Sequence, residues 1–185
     1  MGIDRAKIER GVRLILEAIG EDPEREGLRE TPHRVARMWE ELLGEREEGL
    51  DKATRLFQVD TGDQLTLIKD IHLIGICEHH LLPFIGKAHI AYLPEGGRVV
   101  GLNTIVRWAN ALAKRPQLQE QLTRDLAEKI MQEMNPKGAL VIIEAEHVCM
   151  MIQGMRRPGS IFVTYTKQGP VDITAEVWSL IKGLG

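Results

Sequence analysis

The residues best suited to chemistry in this sequence lie in two short segments. The first is the Cys-Glu-His-His run at 77–80, and the second is His-Val-Cys at 147–149. The chain has only two cysteines and six histidines, and each cysteine lies two or three residues from a histidine. Because thiolate and imidazole groups are common ligands of transition metals, this clustering predicts that the two segments form one site.

Zinc is the ion that such a ligand set favours, since a mixture of sulfur and nitrogen donors excludes magnesium and calcium. Two cysteines and one histidine fill three positions of a tetrahedral site. A fourth protein ligand would make the site structural, whereas a water in that position makes it catalytic, because the metal lowers the pKa of the water towards about 7. The spare histidines are then available as proton carriers.

The segments that flank these residues are typical of β-strands, on which residues two apart share a face, so we expect His147 and Cys149 to point into one pocket. Two other interpretations fit the same residues. Free cysteines are often small buried hydrophobic side chains, and the histidines would then belong to the core. A disulfide between Cys77 and Cys149 needs an oxidising compartment, which we do not expect because the sequence shows no signal peptide.

The composition is that of a soluble globular protein, with 43% hydrophobic and 28% charged residues. No run approaches the ~18 apolar residues that a membrane span needs, so we expect a cytoplasmic protein with no membrane partner. The net charge of -3 is small, and the two signs are interspersed. This excludes the broad basic surface of a nucleic-acid-binding protein, and an anionic ligand must be bound by a local cluster.

Residues 1–60 are predicted to form an N-terminal helical region. Asp4 is expected to cap a helix that has apolar residues at helical spacing and ends at Gly20. The Thr-Pro pair at 31–32 provides a cap and a first-turn proline for a second helix, which places two arginines, Arg34 and Arg37, on one side. These arginines are otherwise simply the solvated face of an amphipathic helix.

Residues 61–185 are predicted to form the second domain, after an acidic, irregular linker from 45 to about 64. Strands rich in β-branched residues and leucine are predicted at 65–76, 84–93, 99–102, 139–150 and 160–166. Helices are predicted at 103–115 with Asn103 as its cap, at 116–134 opened by Pro116, and at 175–181. Two helices between pairs of strands predict an α+β fold, an antiparallel sheet covered by helices on one face.

Four separated motifs occur in order along the chain. They are Glu-Asp-Pro-Glu-Arg-Glu-Gly-Leu with Thr-Pro-His-Arg-Val-Ala, then Cys-Glu-His-His-Leu-Leu-Pro-Phe, then Arg-Pro-Gln-Leu-Gln-Glu-Gln-Leu-Thr, and finally Glu-Ala-Glu-His-Val-Cys-Met. With these motifs the sequence resembles the GTP cyclohydrolase I family. The resemblance implies a tunnelling fold, in which the sheets of several subunits join into a barrel. It also implies a homo-oligomer, a decamer of two stacked pentamers, with active sites between subunits.

The resemblance assigns zinc to Cys77, His80 and Cys149, and catalysis to His79 and His147. It implies hydrolysis of GTP to 7,8-dihydroneopterin triphosphate and formate. In this reaction an activated water attacks C8 of the purine, and a histidine near neutral pH delivers a proton to N7.

Substrate-binding residues are also implied by the resemblance. Gln119 and Glu120 match residues that hold the purine edge, and a carboxylate suits the adjacent ring N–H and amino group of guanine because it only accepts hydrogen bonds. Alternatively, Glu120 merely complements the helix dipole. Residues implied at the triphosphate end, the last two from a neighbouring subunit, are Asn103, Arg107, Arg34 and Arg37.

The triphosphate end also departs from the family pattern. The family usually has a Ser-Lys pair where this sequence has Asn103-Thr104, and an arginine where it has Gln153. Charge-assisted hydrogen bonds contribute roughly 1.5 to 3 kcal/mol each, so triphosphate binding weakens unless Arg156 or Arg157 compensates. Two further hypotheses therefore stay open. One is a paralog that opens the ring of a purine with fewer phosphates or none, and the other is a binding or scaffold protein without catalysis.

Overall fold

The structure is a computed structural model, and it describes residues 2–44, 54–60, 62, 64–153, 158–171 and 175–182. The chain divides into two compact units, Met1–Arg46 and Glu47–Gly185. The described part of the first unit is helical, and all described strands belong to the second. The boundary between the units therefore lies before the boundary near residue 60 that we expected from the sequence.

Two helices form the described part of the first unit: α1 (Arg5–Ala18) and α2 (Thr31–Leu43). The predicted cap of α1 is confirmed, since the Asp4 carboxylate accepts the backbone N–H of Lys7 at 3.0 Å. Thr31 is the first residue of α2 rather than its cap, because Glu30 occupies the N-cap position and makes no side-chain cap bond. The two helices pack against each other.

Seven strands lie among the described residues: β1 (Leu56–Gln58), β2 (Thr66–Cys77), β3 (Pro83–Leu93), β4 (Arg98–Val100), β5 (Pro116–Gln117), β6 (Gly138–His147) and β7 (Ile161–Gln168). β1 and β4 form a two-stranded ribbon, and the others form a five-stranded sheet in the order β5-β2-β3-β6-β7. Among these described strands, only the β2–β5 pair is parallel. β1 corrects the predicted linker, because its pairing with β4 orders residues 56–58, whereas residues 45–53 of that linker lie outside the described residues.

Four helices are described in the second unit: α3 (Leu102–Ala113), α4 (Gln119–Met134), α5 (Val148–Ile152) and α6 (Ala175–Lys182). α3 and α4 cover one face of the sheet, where Trp108 and Ile130 share a buried cluster with Val141. Successive strand residues face opposite sides, and Ile142 accordingly joins a second cluster with Val177 of α6. The predicted α+β class is confirmed. Within the described residues, no helix has both the length and the apolar content needed to cross a bilayer.

Two helix starts differ from the prediction. α3 begins at Leu102 after an extended Gly101, so Asn103 lies inside the first turn and is not the cap. Pro116 belongs to β5, where it pairs with Ile76 of β2, and α4 begins only at Gln119. Proline is tolerated at the edge of a sheet, and pairing with the end of β2 outweighs the local signal for a helix start.

β6 is shorter than predicted, and this changes the geometry of the site. The strand ends at His147, and the next residues form the short helix α5. The expectation that His147 and Cys149 share one face of a strand was therefore wrong. The Cys149 side chain instead contacts that of Cys77, and this tertiary contact outweighs the strand propensity of the apolar run.

Candidate metal centre and active site

Three side chains form a compact group of potential metal ligands: Cys77, His80 and Cys149. Their ligand atoms, two sulfurs and one imidazole nitrogen, all lie within 4.8 Å of one another. Cys77 is buried, Cys149 is half-buried and His80 is exposed. Both cysteines are free thiols. The group is thus anchored in the protein through sulfur and reaches solvent on the side of its histidine.

A tight turn after β2 brings His80 back towards Cys77. The backbone N–H of Cys77 donates to the Leu82 carbonyl at 2.9 Å, and the Cys77 carbonyl accepts from the N–H of Leu81 at 2.9 Å. Leu81 has a φ of 55°, a left-handed conformation that is uncommon for a residue other than glycine. The turn therefore holds a strained residue beside the ligand group, as functional sites often do.

Burial affects the protonation of one member of the group, Cys149. Burial raises the pKa of the Cys149 thiol, and the adjacent Cys77 raises it further. A bound cation opposes this effect, because positive charge favours the thiolate form. Metal binding at this group must therefore displace protons, and it strengthens as the pH rises.

His147 lies at the end of β6 beside two aromatic rings. It stacks on Phe84 with ring centroids 4.9 Å apart, and it is nearly perpendicular to the ring of Phe162, with centroids 5.6 Å apart. Burial lowers the pKa of His147, and the charge of Glu120 opposes this effect without cancelling it. The pKa lies below the ordinary value of about 6.5, so the imidazole is mainly neutral at neutral pH.

The ring of Phe84 occupies space that is open because the neighbouring strand has a glycine, Gly75, beside it. Phe84 pairs with His147 on β6 and with Gly75 on β2, and a β-carbon at Gly75 would lie 2.1 Å from the Phe84 Cζ atom. Neither Phe84 nor Phe162 was predicted as a site residue. The place of Phe84 in the motif that begins at Cys77 was a usable signal, whereas the sequence offered none for Phe162.

Gln119 is the first residue of α4, and only 1% of its surface is exposed. Its side-chain nitrogen donates to the carbonyls of Ile143 at 2.9 Å and Phe162 at 3.0 Å, and to the Thr164 hydroxyl at 3.1 Å. Its Oε1 atom lies 2.9 Å from Nε2 of His147. We predicted a purine ligand at this position, but both ends of the amide are already in hydrogen bonds with the protein.

The other two residues predicted at the purine and the metal are exposed. Glu120 lies in the first turn of α4, and its charge acts on His147. The ring of His79 meets that of His80 edge-on, with centroids 6.2 Å apart. The structure thus brings His79 to the ligand group and Glu120 to the surroundings of His147.

The residues predicted at the triphosphate end lie on separate elements. On α3, Asn103 is exposed and Arg107 is half-buried. On α2 in the first unit, Arg34 and Arg37 are both exposed, and Arg37 pairs with Glu41 at 3.6 Å. Their role at a phosphate stays a prediction.

The positions that depart from the family pattern are described only in part. Thr104 is half-buried on α3, and Gln153 is exposed just after α5. The backbone N–H of Gln153 donates to the Cys149 carbonyl at 3.2 Å, so Gln153 lies one turn beyond the ligand group. Arg156 and Arg157, which we considered as compensating charges, lie outside the described residues.

Known proteins resemble this chain over nearly its whole length. The family model described as GTP cyclohydrolase I matches residues 8–180. The GTP cyclohydrolase 1 of Clostridioides difficile (strain 630) is 53% identical over 184 residues, which cover 97% of each chain. That of Aquifex aeolicus (strain VF5) is 48% identical over 189 residues, which cover 100% of both. The solved structure of the archaeosine synthase QueF-Like in the apo form is a weak match, with a TM-score of 0.44 and 19% identity over 58% of this chain and 96% of that chain. The family match spans both units and includes the ligand group and His147, and this α+β chain with a tunnelling fold belongs to the GTP cyclohydrolase I family.

Proposed function

We propose that the protein is a zinc-dependent hydrolase that opens the imidazole ring of GTP and forms 7,8-dihydroneopterin triphosphate and formate. The observation that carries this proposal is the compact Cys-His-Cys group, with the half-buried His147 two residues from one of its cysteines. The similar relatives are named GTP cyclohydrolase 1, which supports the same reaction here.

Zinc fits the ligand group of Cys77, His80 and Cys149. Zinc binds thiolate sulfur at about 2.3 Å and imidazole nitrogen at about 2.0 Å, so the ligand atoms of a tetrahedral site lie roughly 3.5–3.8 Å apart. The three ligand atoms here all lie within 4.8 Å of one another, and small side-chain rotations bring them to that spacing. When bound, zinc supplies a Lewis acid that lowers the pKa of a water in the fourth position towards about 7.

His147 is the proposed proton carrier for ring opening. Because burial lowers its pKa, the neutral imidazole takes the proton that the water loses as its oxygen adds to C8 of the purine. The imidazolium then passes this proton to N7, where the electrons of the C8=N7 double bond collect as the oxygen adds, so one side chain serves both transfers. The ring opens when the bond between C8 and N9 breaks, with the hydroxyl proton moving to N9 and a formamide left on N7. His79, exposed beside His80, is the proposed carrier for the second hydrolysis, which releases formate.

Glu120 is the proposed ligand of the guanine edge. Its exposed carboxylate accepts hydrogen bonds from the ring N–H and the amino group, two donors that lie side by side. The charge of Glu120 raises the pKa of His147, so a purine bound by this carboxylate lies close to the proton carrier. A residue that only complements the helix dipole would not affect substrate binding.

At the triphosphate end we propose Asn103, Arg107, Arg34 and Arg37 as ligands. A second candidate function is ring opening of a purine with fewer phosphates or none. It is favoured by two uncharged residues, Thr104 and Gln153, at positions where the resemblance implies cations. A scaffold without catalysis is disfavoured, because the ligand group and both proposed catalytic histidines are all present.

We further propose a homo-oligomer, with the decamer of two pentamers as its form. This is supported by the edge strand β7, on which Ile161, Val163 and Tyr165 are 58%, 46% and 63% exposed along one face. An apolar edge strand of this kind is a surface that another subunit covers.

A cytoplasmic location is proposed because free thiols in a ligand group persist in a reducing compartment.

A substrate panel tests the proposed function. Zinc-loaded protein is incubated with GTP, GMP, guanosine and guanine, and formate release is measured together with pterin fluorescence. The proposal predicts both products from GTP. Formate from a phosphate-free purine, with none from GTP, supports the second candidate.

Substitution of Cys149 tests the metal ligand, and Met150→Ala is its matched control, since Met150 is an exposed neighbour on α5 outside the ligand group.

A further inference from the structure

We infer that Gln119 is a positioning residue that fixes the tautomer and the orientation of His147, and that Nδ1 is consequently the ring nitrogen of His147 that exchanges protons. The chemistry assigned to His147 rests on the proposed function. The tautomer rests only on hydrogen bonds within the protein, so the two parts can be tested separately.

The orientation of the Gln119 amide follows from its partners. One end of the amide lies 2.9 Å from the Ile143 carbonyl and 3.0 Å from the Phe162 carbonyl. Backbone carbonyls only accept hydrogen bonds, so the atom that faces them must be the amide nitrogen. The opposite orientation would place the amide oxygen against two carbonyl oxygens in a buried site, which is unfavourable because none of these three oxygens can donate a hydrogen bond.

Two threonines complete the same network. The Thr123 hydroxyl donates to the backbone carbonyl of Gln119 at 2.8 Å and lies 2.6 Å from the Thr164 hydroxyl. Because the Thr123 hydroxyl hydrogen is already in that bond, the hydrogen bond between the two hydroxyls must use the hydrogen of Thr164. The Thr164 oxygen in turn accepts from the side-chain nitrogen of Gln119. Each hydrogen therefore has an acceptor, and the amide has one satisfied orientation.

The tautomer of His147 follows from the orientation of the amide. The amide oxygen faces Nε2 of His147 at 2.9 Å, and an amide oxygen only accepts. Nε2 must therefore carry the hydrogen, and in the neutral ring Nδ1 holds the lone pair. The imidazole also contacts the rings of Phe84 and Phe162, which offer no hydrogen-bonding atom in their side chains, so a flipped ring would lose the hydrogen bond without gaining another from these two rings.

Burial separates this role from that of a purine ligand. Gln119 is 1% exposed, and its amide is committed to the protein. A side chain that acts through His147 is expected to change kcat rather than KM, whereas a direct purine ligand would change KM. We expect Gln119→Leu to lower kcat about 10- to 100-fold, which is less than the roughly 10²- to 10⁴-fold contribution of general acid–base catalysis because His147 itself remains. We expect KM to change less than about threefold.

The matched control is Gln117→Leu. Gln117 is also buried, at 2% exposure, and its amide donates to the Leu112 carbonyl at 2.6 Å and accepts from the Arg115 side chain. Both substitutions replace a buried glutamine near the start of α4, so both are expected to lower the unfolding midpoint. Only Gln119→Leu removes a partner of His147, and Gln117→Leu is expected to retain kcat within about threefold.

The deciding readout is the protonation of the His147 ring. Zinc-loaded protein with 15N-labelled histidine rings is measured by magic-angle-spinning NMR at pH 8, and the signals of His147 are those missing in His147→Ala. We expect a protonated Nε2 and an unprotonated Nδ1 in the parent and in Gln117→Leu, and a mixture of tautomers in Gln119→Leu. A hydrogen on Nδ1 in the parent overturns the inference, even if Gln119→Leu does not fold. So does a Gln119→Leu protein with the parent's tautomer and kcat. Because the spectrum needs no substrate, an inactive protein with the expected tautomer would refute only the proposed function.

Discussion

Gly75→Ala is expected to damage both stability and activity, although Gly75 provides no side chain. A β-carbon at this position would lie 2.1 Å from Cζ of Phe84, and 2.6 and 2.7 Å from two further ring carbons. Carbon atoms prefer separations of about 3.5–4.0 Å, and Phe84 is 0% exposed, so the ring cannot move into solvent. Overpacking of this kind costs about 1–3 kcal/mol. The folding equilibrium constant should fall roughly 5- to 150-fold, since each 1.4 kcal/mol is a factor of ten.

The same displacement should reach the active site. The Phe84 ring stacks on His147 at 4.9 Å, and a shift of about 1 Å in a catalytic group can lower a rate about 100-fold. We expect formate release to fall about 10- to 100-fold at a temperature where the variant is folded. The thermal midpoint should fall by about 2–12 °C, given about 2–4 °C per kcal/mol for a chain of this size.

Circular dichroism and formate release measure the two effects. Gly11→Ala is the control, because Gly11 lies within α1 and a β-carbon there meets nothing within 4 Å. It should gain about 1 kcal/mol from helix propensity and leave activity unchanged. Phe84→Leu combined with Gly75→Ala should recover part of the lost stability, because the two sites are coupled through one contact. A Gly75→Ala protein with the parent's midpoint and rate would refute the reasoning.

Three further predictions concern the metal, the assembly and the phosphate end. Cys149→Ser should lose zinc and formate release, since a hydroxyl replaces a thiolate poorly, whereas Met150→Ala should keep both. If elemental analysis finds one zinc per chain in Cys149→Ser and the variant is active, Cys149 is not a zinc ligand. If the two arginines of α2 complete a neighbouring subunit's site, the specific activity should fall on dilution as the oligomer dissociates, and a fully active monomer in light scattering would exclude this role. The double variant Thr104→Lys with Gln153→Arg should raise kcat/KM for GTP at least tenfold if these two positions face the bound triphosphate. If kcat/KM for GTP falls instead, and turnover of a phosphate-free purine is also damaged, the result would favour ring opening of a purine with fewer phosphates or none.

Elements with a regular burial pattern could be predicted from the sequence. Helix α1 was predicted from apolar residues at helical spacing that come after a capping residue, Asp4, and the structure confirms this cap. The long strands β2 and β3 also lie where their β-branched residues predict them. In each case the local preference agrees with the tertiary structure, so the sequence pattern was sufficient.

Elements that depend on contacts between distant segments could not be predicted in this way. Pro116 carries a local signal for a helix start, but pairing with β2 places it in a strand. Cys149 follows a long apolar run, but the chain turns into α5, where its thiol contacts Cys77. The residue types of the ligand group were thus readable from the sequence, while the path that brings them together was not.

The site shows the same limit at Gln119. Its residue type and motif predicted a polar contact with a ligand. In the structure its amide is buried and bonded to β6, β7 and His147 instead, and the spacing of residues in the sequence does not predict such contacts. Its partners are 24 to 45 residues away along the chain. Only the packing of α4 on the sheet reveals that its hydrogen bonds are already used.

The central claim is that the zinc-loaded ligand group and His147 open the imidazole ring at C8. GTP labelled with 14C at C8 tests this directly, with protein stripped of metal and then restored with one zinc per chain. We predict that the label leaves as formate, about one per pterin formed, with the restored protein and not with the stripped protein. If the restored protein binds one zinc per chain and the label stays in the purine, the claim is contradicted.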